Sequence, residues 1–373
     1  MNTGVVPERS DVVVIGGGVM GAAALHYLVE LGCKQPVLVE RDTLASGSTG
    51  RCAGGVRTLF SDDLNRRICD ESIRRLKRFH DEVGQELDLR LWGYLFLLAT
   101  DDDARRFAAD GARMLTPDGA RDVVPQLDVD GLVAAAFDDR AGYVTPDLVV
   151  QGYARHAAER GAHIEQSCAA TRVLADGGRV TGVETAHGTI ATERVILAAG
   201  VWSSDLFDLP LERERRHMFF TEDAPAFPAE LPLTIDFATG FYFHREGRGL
   251  LMGMSDPDQE PGFHLDYSED WLPRLGEAMR VRAPRLLDVG LRGGWAGLYE
   301  VTPDHNALIG RSSTTPNVLY ATGFSGHGFL QAPAVGEVIR DLYLGRTPFV
   351  DTTPLSADRF THGDTGRPES HIV

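Results

Sequence analysis

At 373 residues, 43% of them apolar and 24% charged, the chain is long enough to bury two substantial cores. A formal charge of −17 excludes a nucleic-acid partner, which needs a basic face, and disfavours anionic membranes. Four cysteines (Cys33, Cys52, Cys69, Cys168) without CxxC or paired spacing fit reduced thiols in a cytoplasmic protein, and no metal-ligand spacing stands out.

Residues 1–10 lack a basic stretch before an apolar run, so no secretory signal is expected. The most apolar window, Val12 to Leu31, contains four glycines and reads as a strand–helix unit, so no membrane span is expected. It opens with Asp11-Val-Val-Val-Ile-Gly-Gly-Gly-Val-Met-Gly21. Gly16 suits the tight turn, Gly18 the approach of a pyrophosphate, and Gly21 the packing of helix on strand. The helix entered through Val19 and Met20 presents unpaired N–H groups and a positive dipole end to phosphates. A second strand ends at Glu40, 19 residues beyond Gly21 (40 − 21), where a carboxylate can accept from a ribose hydroxyl. Strand, glycines, helix, second strand and acid in that order indicate dinucleotide binding.

The polar loop from Arg41 through Ser46, Ser48, Thr49, Arg51, Ala53, Gly54 and Gly55 to Arg57 allows close backbone approach to a large planar ring. Residues 61–85 have the periodicity of one long amphipathic helix, and Trp92 to Thr100 that of a strand. A polar helix from Asp102 and a turn near Pro117 and Pro125 follow. A helix is expected from Asp147 to Arg160, ended by Gly161, then a hairpin over 164–183 turning at Asp176-Gly-Gly178. Arg194-Val-Ile-Leu-Ala-Ala199-Gly200-Val-Trp202 and Val318-Leu-Tyr-Ala-Thr-Gly323-Phe-Ser-Gly326-His327-Gly328-Phe329 are further strands entering glycine turns. Segments over 211–298 read as an antiparallel sheet with a helix near Trp271 to Arg282, and the charge run Arg213, Arg215, Arg216 reads as solvated. After Pro348 the chain is polar and is expected to pack loosely or stay disordered.

The resulting fold class is α/β. A Rossmann-like dinucleotide-binding domain is expected from 1–90, 143–210 and 290–345, and a mixed or antiparallel-sheet substrate domain from 91–142 and 211–289, leaving 346–373 as a tail.

Taken together, Ile15–Gly21, Ser46–Arg51, Gly93-Tyr-Leu-Phe96, Leu197–Gly200, Gly240-Phe-Tyr-Phe243, Gly297-Leu-Tyr-Glu-Val-Thr-Pro-Asp304 and Gly323–Gly328 resemble, in order, the FAD-dependent amine and amino-acid oxidoreductases. The chain is most similar to the branch of sarcosine oxidase β-subunits, dimethylglycine dehydrogenases and dye-linked proline dehydrogenase β-subunits. The resemblance implies a glutathione-reductase-like flavoprotein architecture. It also implies FAD as cofactor and oxidation of a sarcosine-, dimethylglycine- or proline-like amine. Val173 is then placed near the adenine, Arg57 as a carboxylate clamp, and Tyr299 as a substrate contact or a core tyrosine. His327 would act at the flavin's pyrimidine edge or cap its loop, and His244 would line the pocket or the core. The family's covalent flavin cysteine falls at Gly297, so FAD is expected to be non-covalent. A family lysine that promotes oxygen use falls at Leu251, and the only lysines are Lys34 and Lys77, which favours a dehydrogenase over an oxidase. Two rival readings remain: a 2-hydroxy-acid dehydrogenase with His244 or His327 as base, and a flavin subunit passing electrons to a partner chain.

Overall fold

The computed structural model describes residues 4–256, 262–263, 265–361 and 368–371. Val12–Ile15 is apolar throughout because it is a central strand covered on both faces. It lies in a six-stranded sheet with the order Leu308–Arg311, Val318–Thr322, Val195–Leu197, Val12–Ile15, Pro36–Val39 and His163–Glu165. All neighbours are parallel except the first pair.

The alternation of side chains assigns each face a different cover. Val12, Val14, Leu38, Ile196 and Leu319 pack under the helices Val19–Glu30, Asp63–Lys77, Pro146–Glu159 and Gly328–Leu344. Val13, Ile15, Val37, Val195 and Leu197 meet Val180, Val183 and Ile190 of a three-stranded antiparallel sheet, Ala170–Asp176, Arg179–Thr185 and Gly188–Ala191. The helices Val19–Glu30 and Gly328–Leu344 touch closely at Gly336, where an added Cβ would lie 2.8 Å from the Tyr27 ring and 2.9 Å from the Ala23 backbone.

A second, eight-stranded sheet runs Leu291–Val301, Glu212–Thr221, Gly249–Met254, Phe241–Glu246, Leu233–Asp236, Tyr94–Leu98, Ala134–Asp138 and Arg113–Leu115. It is mixed, because Leu233–Asp236 and Tyr94–Leu98 pair in parallel. One face, carrying Phe219, Phe241, Phe243 and Met252, buries Leu275 and Met279 of the helix Leu272–Arg282. The opposite face, carrying Tyr94, Phe96, Leu233 and Tyr242, meets Leu59 of the loop that follows Arg57.

Several local expectations are corrected. The helix expected over 61–85 breaks at Arg78 into Asp63–Lys77 and Phe79–Val83, which lets the apolar stripe follow the core. Pro117 starts a helix, Pro117–Val123, because its fixed φ and missing N–H suit a first turn capped by Thr116. His163–Glu165 extends the parallel sheet, so the hairpin starts only at Ala170. The tail packs closely: Val350, Leu355, Glu369 and His371 are buried, and Arg359 bonds Asp304 at 2.8 Å. Residues 362–367 and 372–373 of that tail lie outside the described residues.

Candidate flavin site

The parallel strands end at one edge, where their connecting loops enclose a cavity of about 370 Å³. Gly16 turns the first loop at φ +113°, and an added Cβ there would lie 2.3 Å from the Ala198 carbonyl oxygen. At Gly21 a Cβ would lie 1.9 Å from the Gly16 oxygen, so helix and turn approach as closely as backbone allows. Gly18 caps the helix Val19–Glu30 without a side chain. Gly18, Val19 and Met20 therefore bring the helix N-terminus, with no side-chain cap at Gly18, to the cavity wall.

Glu40 stands at the end of Pro36–Val39, accepting from the Gly17 N–H at 2.7 Å and the Asp42 N–H at 2.8 Å, one on each oxygen. Beside it the Arg41 guanidinium lies 4.4 Å from the centre of the Trp202 ring. Thr49 Oγ1 accepts from the Val19 N–H at 3.1 Å, and Ser48 Oγ donates to the Leu298 carbonyl at 2.6 Å. The loop after Glu40 is thus fastened to both the helix N-terminus and the eight-stranded sheet.

Sixteen of the expected cofactor residues line the cavity: Gly16, Gly18, Val19, Met20, Glu40, Arg41, Ser46, Ser48, Thr49, Arg51, Ala199, Gly200, Trp202, Gly326, Gly328 and Phe329. Gly21, Ala53, Gly54, Gly55, Gly323 and His327 stand behind it. Val173 pairs with Val183 and packs toward the sheet core outside the lining, to which Ala169, Ala170 and Thr171 contribute just before it. The far end is closed by Arg51, Cys52, Arg216, Met218, Gly297, Leu298, Tyr299 and Glu300. Burial pushes the Cys52 thiol up to about 12, so it stays protonated.

The four expected catalytic residues separate. Tyr299 lines the cavity, its edge against Gly326, where a Cβ would come within 2.5 Å of the ring. Burial raises its phenol, and the nearby Arg216 charge opposes that in part. Arg57 is 4% exposed and lies outside the lining. One Nη donates to the Leu59 carbonyl, and the other contacts the His371 carbonyl at 2.6 Å and His327 Nε2 at 3.2 Å. Three of its five N–H donors are therefore committed within the protein, and the Phe60 ring covers its guanidinium at 4.0 Å. His327 is buried, and burial together with the Arg57 charge pushes its imidazole down to about 3. His244 is buried on the sheet, bonds the Arg245 carbonyl at 2.9 Å, and is pushed down to about 4 by burial.

Sequence reasoning missed Arg216 and Glu300. Arg216 belonged to a charge run read as solvated, yet its side chain is 14% exposed and faces the cavity. Glu300 interrupts an apolar strand, a signal that was available. It accepts from Thr322 Oγ1 at 2.8 Å and the Phe324 N–H at 3.3 Å, and burial pushes it up to about 7. The C-terminal contacts were also missed. Glu369 accepts from the Ser61 N–H and hydroxyl, the Asp62 N–H, Asn65 Nδ2 and the His371 N–H.

A glycine cradle, a helix N-terminus, a carboxylate at the end of the second strand and a long cleft reaching a second sheet fit a flavin dinucleotide. The family model described as FAD dependent oxidoreductase matches residues 11–342.

The chain belongs to the FAD dependent oxidoreductase family.

Among curated relatives, FAD-dependent oxidoreductase domain-containing protein 1 of Bos taurus is 29% identical, covering 98% of this chain and 87% of its own. Sarcosine oxidase subunit beta of Rhizobium meliloti (strain 1021) is 26% identical, covering 95% and 89%. Among solved structures, L-proline dehydrogenase from P. horikoshii is 29% identical with a TM-score of 0.90, covering 96% of this chain and 100% of that one. This family member is thus an FAD-dependent oxidoreductase with the flavoprotein fold the motifs implied. No helix among its described residues is long and apolar enough to cross a membrane.

Proposed function

We propose that this protein oxidises the C–N bond of a secondary amine or an amino or imino acid that is sarcosine-, dimethylglycine- or proline-like. The observation that carries the reading is the correspondence with L-proline dehydrogenase over 96% of this chain and all of that one. Bound FAD would supply a hydride acceptor for the substrate carbon beside nitrogen, and hydrolysis of the resulting imine would follow. The residues of this chain have three tasks. Glu40 and the Gly16–Met20 turn hold the ribose and pyrophosphate. Ser48 and Thr49 fix the loop against helix and sheet. Tyr299, Met218 and Leu298 form an apolar wall that excludes water and shapes the space for substrate. At the start of the helix Gly328–Leu344, the buried Arg57–His327 pair adds positive charge behind the cavity, which suits a reduced, anionic cofactor.

Among the described residues no histidine lines the cavity, which weighs against the 2-hydroxy-acid reading, since an alcohol needs a base and both His244 and His327 lie outside the lining. A second reading is supported by Leu251, which is buried where the lysine would stand, and by the sarcosine oxidase β-subunit relative. In it the protein is a flavin subunit whose electrons leave through a partner, with a dehydrogenase acceptor rather than oxygen. FAD is held non-covalently, since Gly297 offers no side chain for attachment. Four free cysteines support a reducing, cytoplasmic setting. Anaerobic mixing of the FAD-loaded protein with N-methyl and cyclic amino acids tests the reading: bleaching of the flavin band supports it, and bleaching by 2-hydroxy acids alone refutes it.

A further inference from the structure

The hydrogen bonds around Glu300 balance only when its carboxyl holds a proton. Glu300 Oε2 lies 2.8 Å from Thr322 Oγ1, and the same hydroxyl lies 2.9 Å from the Gly200 carbonyl oxygen. A hydroxyl has a single hydrogen, so beside an ionised Glu300 it can serve only one of these two acceptors. With Glu300 protonated both contacts are made: the carboxyl donates to Thr322, and Thr322 donates to Gly200. The other carboxyl oxygen accepts from the Phe324 N–H at 3.3 Å in either state. Burial disfavours the charged form and acts in the same direction, pushing the carboxyl up to about 7.

The relay ties together the three strand ends that meet at the cofactor. Gly200 turns at φ +58° just beyond Val195–Leu197, Thr322 ends Val318–Thr322, and Glu300 lies near the end of Leu291–Val301 in the eight-stranded sheet. Gly200 and Glu300 both line the flavin cavity, and a Cβ added at Gly200 would lie 3.5 Å from Glu300 Oε2. Among the described residues no ion pair offsets a charge on Glu300. Arg213, directly across the strands from it, is held by Asp205 at 2.7 Å, and Arg216 by Glu214 at 2.6 Å. Arg51, on the loop after Glu40, has an Nη 3.5 Å from the Ala296 carbonyl. Burial keeps the Tyr299 phenol and the Cys52 thiol protonated and His327 neutral. FAD carries a negatively charged diphosphate into this cavity and displaces water from it, and both effects favour the proton on Glu300.

We propose that Glu300 is a cofactor-positioning residue that works as a proton-operated latch on FAD. Protonated, it fastens Thr322 and the Gly200 turn around the cofactor. Ionised, it frees one end of the relay and sets a negative charge beside an anionic ligand, so FAD is held more weakly as pH rises. Linkage fixes the sign and the ceiling: for one retained proton, the FAD dissociation constant rises at most about tenfold per pH unit. The latch acts on the cofactor, whichever substrate is oxidised.

The test dilutes the FAD-loaded protein at about pH 6 and about pH 8.5 and measures free FAD in the ultrafiltrate, with far-UV circular dichroism confirming that the chain stays folded. The wild-type dissociation constant is expected to be about tenfold or more larger at the higher pH. Glu300→Gln has an amide that donates to Thr322 without titrating. It is expected to match wild type at the lower pH and to change less than about threefold between the two. Thr322→Val removes the relay and leaves the carboxyl in place, and is expected to raise the constant about threefold or more at the lower pH. A wild-type constant that changes less than about threefold overturns the proposal. A Glu300→Gln protein that follows the wild-type pH dependence also overturns it, because another group would then titrate. So does one that holds FAD at the lower pH as weakly as wild type does at the higher. Thr322→Val indistinguishable from wild type at the lower pH overturns the relay.

Discussion

Glu300 is an acid whose surroundings make the protein's stability depend on pH. It lines the cavity between Tyr299 and the strand end at Thr322, and burial holds its carboxyl up to about 7 against an ordinary value of 4.5. Between those values the unfolded chain releases a proton that the folded chain keeps. Stability is therefore lost as pH rises from about 4.5 to about 7, and the loss is complete above that window. At roughly 1.4 kcal/mol per pH unit the loss reaches at most about 3 kcal/mol, with a lower figure expected because the residue as a whole keeps some exposure to water. Glu300→Gln keeps the shape and removes the titration. Its stability relative to wild type should rise from pH 4.5 to 7.5 by about 2–3 kcal/mol, read from urea unfolding midpoints of both proteins across that range. Parallel pH profiles for the two proteins would refute the assignment of Glu300 as an acid whose carboxyl folding holds protonated.

Gly21→Ala should prevent FAD loading and destabilise the fold by about 3 kcal/mol or more, since its methyl would sit on the Gly16 oxygen; normal flavin content after purification would contradict this. Glu369→Ala should cost about 2–4 kcal/mol at pH 7, because it strands buried donors of Ser61, Asp62 and Asn65. Backbone donors hold that carboxylate down to about 2 despite its burial, so the wild-type advantage should persist above pH 4.5 and fade as pH falls toward 2; an advantage independent of acidification would argue against it. Leu251 is buried opposite His244, leaving no cation on that strand position. The substrate-reduced protein should accordingly reoxidise far more slowly in air than with phenazine methosulfate, and oxygen uptake matching dye turnover would remove this argument.

The parts of the fold legible in the sequence were those where local chemistry leaves one solution. The Asp11–Gly21 segment demanded a strand, a positive-φ turn and a tightly packed helix, and Gly16 and Gly21 occupy those places. Glu40 was legible because a carboxylate ending a buried strand needs donors, which Gly17 and Asp42 provide. What depended on distant chain was not legible. Arg57 reads as an exposed clamp until His371, more than 300 residues later, places its carbonyl on the guanidinium. The tail looked loose because its composition is polar, yet Glu369 finds five donors around the start of the helix Asp63–Lys77. Arg216 looked solvated because a run of arginines carries no strand alternation of its own. Only pairing with Leu291–Val301 assigns Arg216 to the cavity face and His217 to the other.

The central claim is that this chain is an FAD-dependent oxidoreductase that takes its electrons from a C–N bond. Its most direct test is the visible absorbance of the FAD-loaded protein mixed anaerobically, in separate cuvettes, with sarcosine, dimethylglycine, proline and their 2-hydroxy-acid counterparts. Loss of the flavin band with at least one of the amines, and with none of the hydroxy acids, is the expected result. Reduction by the hydroxy acids with the amines inert would contradict the account.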